Sequence, residues 1–314
     1  MIEFDRQRFR GYSAGDGLSD TFIMSLATDA EGNLWAATMA GGAMKVTRNG
    51  FLSYDTRDGL GDAGVHAIFE DRAGTLLVVS GDWLVNRFDG RRFTYGRPHL
   101  PPDVRRSWNS QVAFLDSTDR WWILTNAHLS HLPIGSPAAR VDGLTPSIVH
   151  PDVTVDRLFE DRRGDVWVGL RFIGPYRLML WRRATDTLHL WTEADGMPSV
   201  APTAFAEDAA GHVWIGLQNG EFLRHADGRF TRFPAPRGVG GAITSLCRDE
   251  DGRVWAGSNR DGIIRIDAPA PRAASIASIP RRTGSSTTRP ATACRPASST
   301  SPTGIARARS GSDR

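Results

Sequence analysis

A repeat constrains this chain more than any other feature. The stretch "DAEGNLWAAT" at residues 29–38 returns as "DRRGDVWVGL", "DAAGHVWIGL" and "DEDGRVWAGS". Aligned on its tryptophan, Trp35, Leu77, Trp122, Trp167, Trp214 and Trp255 stand 41 to 47 residues apart. Six residues before each comes an aspartate: Asp29, Asp71, Asp116, Asp161, Asp208 and Asp249. Three residues after it comes Gly32, Gly74, Gly164, Gly211 or Gly252, with Asp119 the exception in the third copy. A period in the forties with strand-like units is the pattern of propeller blades.

Each unit reads as four strands. An alternating apolar segment such as "FIMSLA" or "VHAIFE" precedes the aspartate and suits a strand. In the Asp-x-x-Gly turn, aspartate can accept from backbone amides and glycine can take a positive φ. The tryptophan strand follows, then a third strand ending in "RFDGRRF" or "RHADGRF", whose Asp-Gly is a hairpin signal. "FTYG" or "FTRF" supplies the fourth. One such sheet cannot bury both of its faces, so the blades must pack face to face around an axis. The expected fold is all-β, a propeller of four-stranded antiparallel blades with six recognisable inner pairs. A residue required once per blade belongs to the scaffold, whereas a catalytic residue is required once. Two repeats depart from the pattern, with Leu77 for tryptophan and no turn glycine in "LDSTDRWWILT", and those blades are expected to be looser or reshaped by insertions.

The ends read differently. Residues 1–12, "MIEFDRQRFRGY", match "LVNRFDGRRFTY" at 84–95, the outer two strands of a blade. The propeller is thus expected over residues 1–268, starting in mid-blade. Residues 269–314 are rich in Ser, Thr, Ala, Pro and Arg, which predicts a disordered basic tail. The first two bases of a codon are largely fixed by its residue, so a frame starting on the third base is constrained. Shifted in this way, "TACRPASSTSPTGIARARSGS" permits "GLPSGVVDVAYGDRAGTLWIG", which is the repeat again. The expectation is a frameshift between Ala268 and Thr292, and a seven-bladed ring in the intact gene.

The net charge of +3 is unevenly spread. Residues 271–314 hold eight Arg and one acid, a local +7, leaving −4 on the rest by difference. A slightly acidic folded part argues against nucleic acid as a partner. No run approaches a membrane helix, so a membrane is expected only through a segment downstream of this chain. The two cysteines, Cys247 and Cys294, lie in segments of unlike character, and no disulfide framework is expected.

The pattern Asp-Gly-Leu-Pro-Ser, apolar strand, Asp-x-x-Gly-x-Leu/Val-Trp resembles the two-component regulator propeller repeat. The nearest copies are "ADGMPSVAPTAFAEDAAGHVWIGLQNGEFLRHADGRF" (194–230) and "GDGLSDTFIMSLATDAEGNLWAAT" (15–38), and the resemblance runs to about residue 268. It implies the extracytoplasmic, periplasmic sensor region of a histidine kinase, hybrid kinase or diguanylate cyclase. The output domain would then lie outside this chain.

No catalytic constellation stands out, and no cofactor or metal is expected. His128 and His131 are three apart, which on a strand places them on opposite sides. If a ligand binds, the mouth of the central channel is the place. The alignment puts Asp20, Thr21, Asp62, His66, Trp108, Asn109, Gln111, His150, Asp152 and Thr203 there. "RRSWNSQ" at 105–111 could stack on and hydrogen-bond a sugar ring. Three readings stay open. The first is a sensor propeller taking a small molecule, a glycan or a partner protein. The second is an enzyme of streptogramin lyase-like or polysaccharide-active type, with His66 or His150 as acid or base. The third is a protein–protein scaffold.

Overall fold

The computed structural model describes residues 1–4, 8–47, 50–100, 111–126, 128–132, 144–171, 177–236 and 240–266. The chain is an all-β propeller of six blades. Blade 1 is β3 (Ile23–Thr28), β4 (Leu34–Thr38), β5 (Ala43–Thr47) and β6 (Gly50–Tyr54). Blade 2 is β7 (Val65–Glu70), β8 (Leu76–Ser80), β9 (Leu84–Phe88) and β10 (Phe93–Gly96). Blade 3 is β11 (Ala113–Leu115), β12 (Trp121–Leu124), β13 (His128–His131) and β14 (Ser147–Pro151). Blade 4 is β15 (Thr154–Glu160), β16 (Val166–Arg171), β17 (Leu178–Arg182) and β18 (Thr187–Trp191). Blade 5 is β19 (Pro202–Glu207), β20 (Val213–Leu217), β21 (Phe222–Ala226) and β22 (Arg229–Phe233). Among the described residues, the sixth has three strands: β23 (Ile243–Arg248), β24 (Val254–Ser258) and β25 (Gly262–Ile266). A separate ribbon of β1 (Ile2–Phe4) and β2 (Phe9–Gly11) packs through Met1 and Tyr12 onto blade 1.

All pairings within blades are antiparallel, and the core lies between blades, not within them. Trp35 packs with Leu60, Ile68 and Val78 of blade 2. Trp121 packs with Val79 and Val85, and Trp122 with Val168 and Met179. Trp167 meets Phe205 and Ile215, and Trp214 meets Ile243 and Val254. Each blade thus covers one face of the next, as a sheet with two apolar faces requires. First strands of successive blades lie against one another, β3 beside β7, β15 beside β19 and β19 beside β23, so they converge on the axis.

The repeated aspartate is a clasp. Its Oδ2 accepts from the tryptophan indole Nε1 of the same blade: Trp35 to Asp29 at 2.8 Å, Trp122 to Asp116 at 3.1 Å, Trp167 to Asp161 at 3.0 Å. Trp214 to Asp208 (3.0 Å) and Trp255 to Asp249 (2.8 Å) complete the set. Oδ1 accepts the amide four residues on, as from Asn33 at 2.7 Å and His212 at 2.9 Å. The turn glycine takes a positive φ, 83° at Gly32 and 89° at Gly211. Where glycine is missing, Asp119 itself adopts φ 59°. Leu77 is fully buried, so blade 2 keeps a packed side chain at this position without an indole donor. Asp71 still accepts from Thr75 N at 2.8 Å.

The Asp-Gly-Leu junctions form capped 3-10 turns at Ala14–Asp16, Thr56–Asp58 and Glu193–Asp195. Each aspartate accepts from the amide three residues back, Ser13, Asp55 or Thr192, at 2.8 to 2.9 Å. The glycine then reverses the chain in the left-handed region, and Leu18, Leu60 or Met197 is buried. Cys247 is buried in β23, while Cys294 lies outside the described residues.

Candidate functional site

The inner strands share a defect that builds the site. β3, β7, β15, β19 and β23 each carry a register shift, between Ile23/Ser25, Val65/Ala67, Val155/Arg157, Pro202/Ala204 and Ile243/Ser245. The skipped residues are Met24, His66, Asp156, Thr203 and Thr244, four positions before the last residue of each strand. Gln111 holds the same position in blade 3 by spacing from Asp116. A bulge bends a strand and re-aims its side chain. Three of the channel residues expected from sequence, His66, Gln111 and Thr203, fall on this one level.

These side chains reach sideways to the next blade. Gln111 Oε1 accepts from Leu158 N of blade 4 at 2.6 Å. Thr203 Oγ1 donates to Ile243 O of blade 6 at 2.5 Å. Arg157, half-buried, reaches furthest. Its Nε donates to Thr203 O at 3.2 Å and its Nη2 to Thr244 O at 3.3 Å, joining blades 4, 5 and 6. Burial works against its protonated form, and the Asp156 charge opposes that effect. Buried Asp156 pairs with Arg171 Nη2 at 3.0 Å.

The remaining sequence candidates are spread around this level. Asp20 accepts from Phe22 N at 3.0 Å and from Ala40 N at 2.8 Å. Asp62 accepts from Gly64 N at 2.7 Å. Both carboxylates therefore hold the loops that lead into β3 and β7. Thr21 is exposed beside Asp20. His150 is on β14, the fourth and outermost strand of blade 3, opposite Leu129, with Nδ1 2.6 Å from Pro151 O. Asp152 is exposed in the turn that follows, at φ 55°. Trp108 and Asn109 lie outside the described residues. Among those residues, no group of three or more His, Cys, Asp or Glu is placed to hold a metal ion.

Sequence reasoning missed Arg157, and it missed a second belt of bonds at the Asp-x-x-Gly turns. The residue before the aspartate is a glutamate in three blades and clasps the preceding turn. Glu160 accepts from Ser117 N at 2.7 Å and Glu207 from Arg162 N at 2.9 Å. Glu70 accepts from the Ala30 amide, and burial and the Asp29 charge hold its carboxyl above the usual range. The available signal was the "ED" pair in "FEDRAG", "FEDRRG" and "AEDAAG".

Known proteins bear on this geometry. The family model described as two component regulator propeller matches residues 17–40 and 238–260. In structure the chain is similar to the extracellular domain of a putative hybrid two component system of B. thetaiotaomicron (BT4673), with TM-score 0.61 and 17% identity. The match covers 85% of this chain and 37% of that one, so this chain spans little more than a third of its length. Virginiamycin B lyase from Staphylococcus aureus is similar with TM-score 0.63 and 15% identity, over 83% of this chain and 84% of the lyase. PorZ, a surface component of the type-IX secretion system of Porphyromonas gingivalis, gives TM-score 0.63 and 14% identity over 83% of this chain and 42% of PorZ. No curated protein is significantly similar to it in sequence. With residues 17–40 and 238–260 matched and five of its six blades closed by the same Asp–Trp clasp, the chain is a β-propeller with two segments similar to the two component regulator propeller.

Proposed function

We propose that this propeller is the sensing part of a bacterial two-component or related signalling protein and takes a small molecule or glycan at its channel. The carrying observation is the pair of matched segments at residues 17–40 and 238–260, which hold the first two strands of blades 1 and 6. The level of Gln111, Arg157, Thr203 and Thr244 supplies donors and acceptors of the kind that fix a polar ligand. Kinase or cyclase activity would reside in a separate output region, and the sensor would work outside the cytoplasm. The extracellular domain of the B. thetaiotaomicron system, similar in fold, supports that location.

The test is a thermal-shift screen of the purified chain against monosaccharides, oligosaccharides and small metabolites, with hits confirmed by calorimetry. A saturable rise in Tm is expected. The fold likeness to virginiamycin B lyase makes a streptogramin B antibiotic the control substrate. Conversion of the antibiotic, seen by chromatography, without any ligand shift in the screen would replace the sensor reading with the lyase reading. A flat screen with no conversion would remove the ligand-sensing reading and leave the scaffold.

A further inference from the structure

Five clusters of buried side chains each join two successive blades, from blade 1 through to blade 6. Among the described residues no such cluster joins blade 6 to blade 1. The remaining one sets Ala36 and Met44 of blade 1 against Met1 and Tyr12 of the ribbon.

The ribbon holds the place of an outer strand pair. β2 leads into β3 through the turn at Ala14–Asp16, as β6 leads into β7 and β18 into β19. Tyr12 meets Phe51 edge to face at 5.5 Å, as Tyr54 meets Phe93 at 5.7 Å and Trp191 meets Phe230 at 5.5 Å. In this register Ile2 stands where Met44, Asn86, Met179 and Leu223 stand on the third strands of blades 1, 2, 4 and 5. Those four are fully buried, but Ile2 is 61% exposed. Met1 turns toward blade 1, so Ile2 turns the other way, to the side on which Met179 and Leu223 meet the preceding blade.

β1 also has one strand neighbour where other third strands have two. Among the described residues it pairs with β2 alone. Met1 and Tyr12 exchange both main-chain bonds, at 3.1 and 2.8 Å. The alternation of an antiparallel pair then points the N–H and C=O of Ile2 and Phe4 away from β2, along an open edge.

We propose that this edge seats the inner strand pair of a seventh blade, and that the shifted-frame sequence "GLPSGVVDVAYGDRAGTLWIG" is its occupant. Blades 1 to 5 have four strands each and the ribbon supplies an outer two, so the seat takes two more. The sequence carries Asp, Gly and Trp at the spacing of the clasp, so it closes its own turn. Its Leu-Trp strand lies along β1 as β4 lies along β5. A strand added to an edge gains affinity from main-chain bonds and specificity from its alternate side chains. Blade 6 then has a complete sheet to pack on, and Ile2 is covered.

The experiment adds that sequence as a synthetic peptide to the whole chain and follows Tm, heat of binding and amide exchange in residues 1–12. A single peptide per chain should bind, raise Tm saturably and slow exchange at Ile2 and Phe4 by at least roughly tenfold. A scrambled peptide should do neither. Ile2→Pro removes an outward N–H, leaves the ribbon's own bonds in place and should weaken binding roughly tenfold. Exchange in the unmodified chain is read whether or not this variant folds. An equal effect of the scrambled peptide means apolar adhesion and overturns the seat. Absence of binding overturns it too, as does binding that leaves exchange at Ile2 and Phe4 unchanged. A chain that is dimeric by light scattering, with those two amides slow before peptide is added, assigns the edge to a second copy and overturns the proposed occupant. The channel reading rests on other strands and survives each of these failures.

Discussion

At the residue scale, the Asp–Trp clasp explains a motif that composition alone makes puzzling. Asp116, Asp161 and Asp208 are buried. A buried carboxylate is tolerated only with hydrogen-bond partners, and the indole plus two or three amides supply them. Removing one partner should therefore cost more than a surface bond. Trp214→Phe keeps the ring packing against Ile243 and Val254 and deletes the donor to Asp208. Its expected loss is about 1–3 kcal/mol in urea unfolding. A loss no larger than that of a surface substitution would mean that the indole bond contributes nothing. The same carboxylates set an acid limit. Burial raises the carboxyl groups of Asp29, Asp116, Asp208 and Asp249, but the indole, side-chain and amide bonds outweigh it and hold them below the usual range. A depressed folded-state pKa gives stability that is fully present above the unfolded value, about 3.9, and is lost as pH falls through the folded value. The urea midpoint should consequently show no loss from these groups between pH 7 and about 5 and should fall below about pH 4. A midpoint that rises on acidification below that point would contradict the sign.

At the element scale, two kinds of glycine do different jobs. Gly32 and Gly59 both sit at positive φ, 83° and 93°. A Cβ on Gly32 would meet open space, whereas one on Gly59 would run into the carbonyl oxygen of Phe93 in the fourth strand of its own blade. Gly32→Ala should cost about 1–2 kcal/mol of backbone strain. Gly59→Ala should cost clearly more, because the strand or the junction must also move. Equal Tm losses in the two variants would show that the junction is soft. Asp119 at φ 59° shows that the turn tolerates a short polar residue there; its Oδ1 also accepts from Arg72 N of blade 2 at 3.1 Å.

At the scale of the whole molecule, stability should follow the stacking of blades. β16 is buried along Val166–Leu170 and β20 along all of Val213–Leu217, each between two neighbours. The β1–β2 ribbon meets blade 1 on one side and leaves Ile2 exposed. Amide exchange should therefore be slowest in β16 and β20 and fastest in β1 and β2. Uniform protection across blades would instead indicate a single cooperative unit. We also propose that the reading frame shifts between residues 268 and 292. Resequencing that stretch of the coding DNA should restore a further Asp-x-x-Gly-x-Leu-Trp repeat, and a confirmed frame would refute the shift.

The sequence by itself determined the propeller, its blade period and the scaffold role of each Asp, Gly and Trp. Those residues act within one turn and recur, so spacing alone reveals them: Trp214 lies only six positions from Asp208. His66, Gln111 and Thr203 could be aligned with one another for the same reason, because each sits five residues before its blade's aspartate. Tertiary structure alone decided that His150 belongs to an outer strand, opposite Leu129. It also placed Arg157 against Thr203 and Thr244, which are 46 and 87 residues away in the chain. Local chemistry writes itself into sequence spacing. A bond that crosses two blades exists only after the ring has brought its inner strands to one axis.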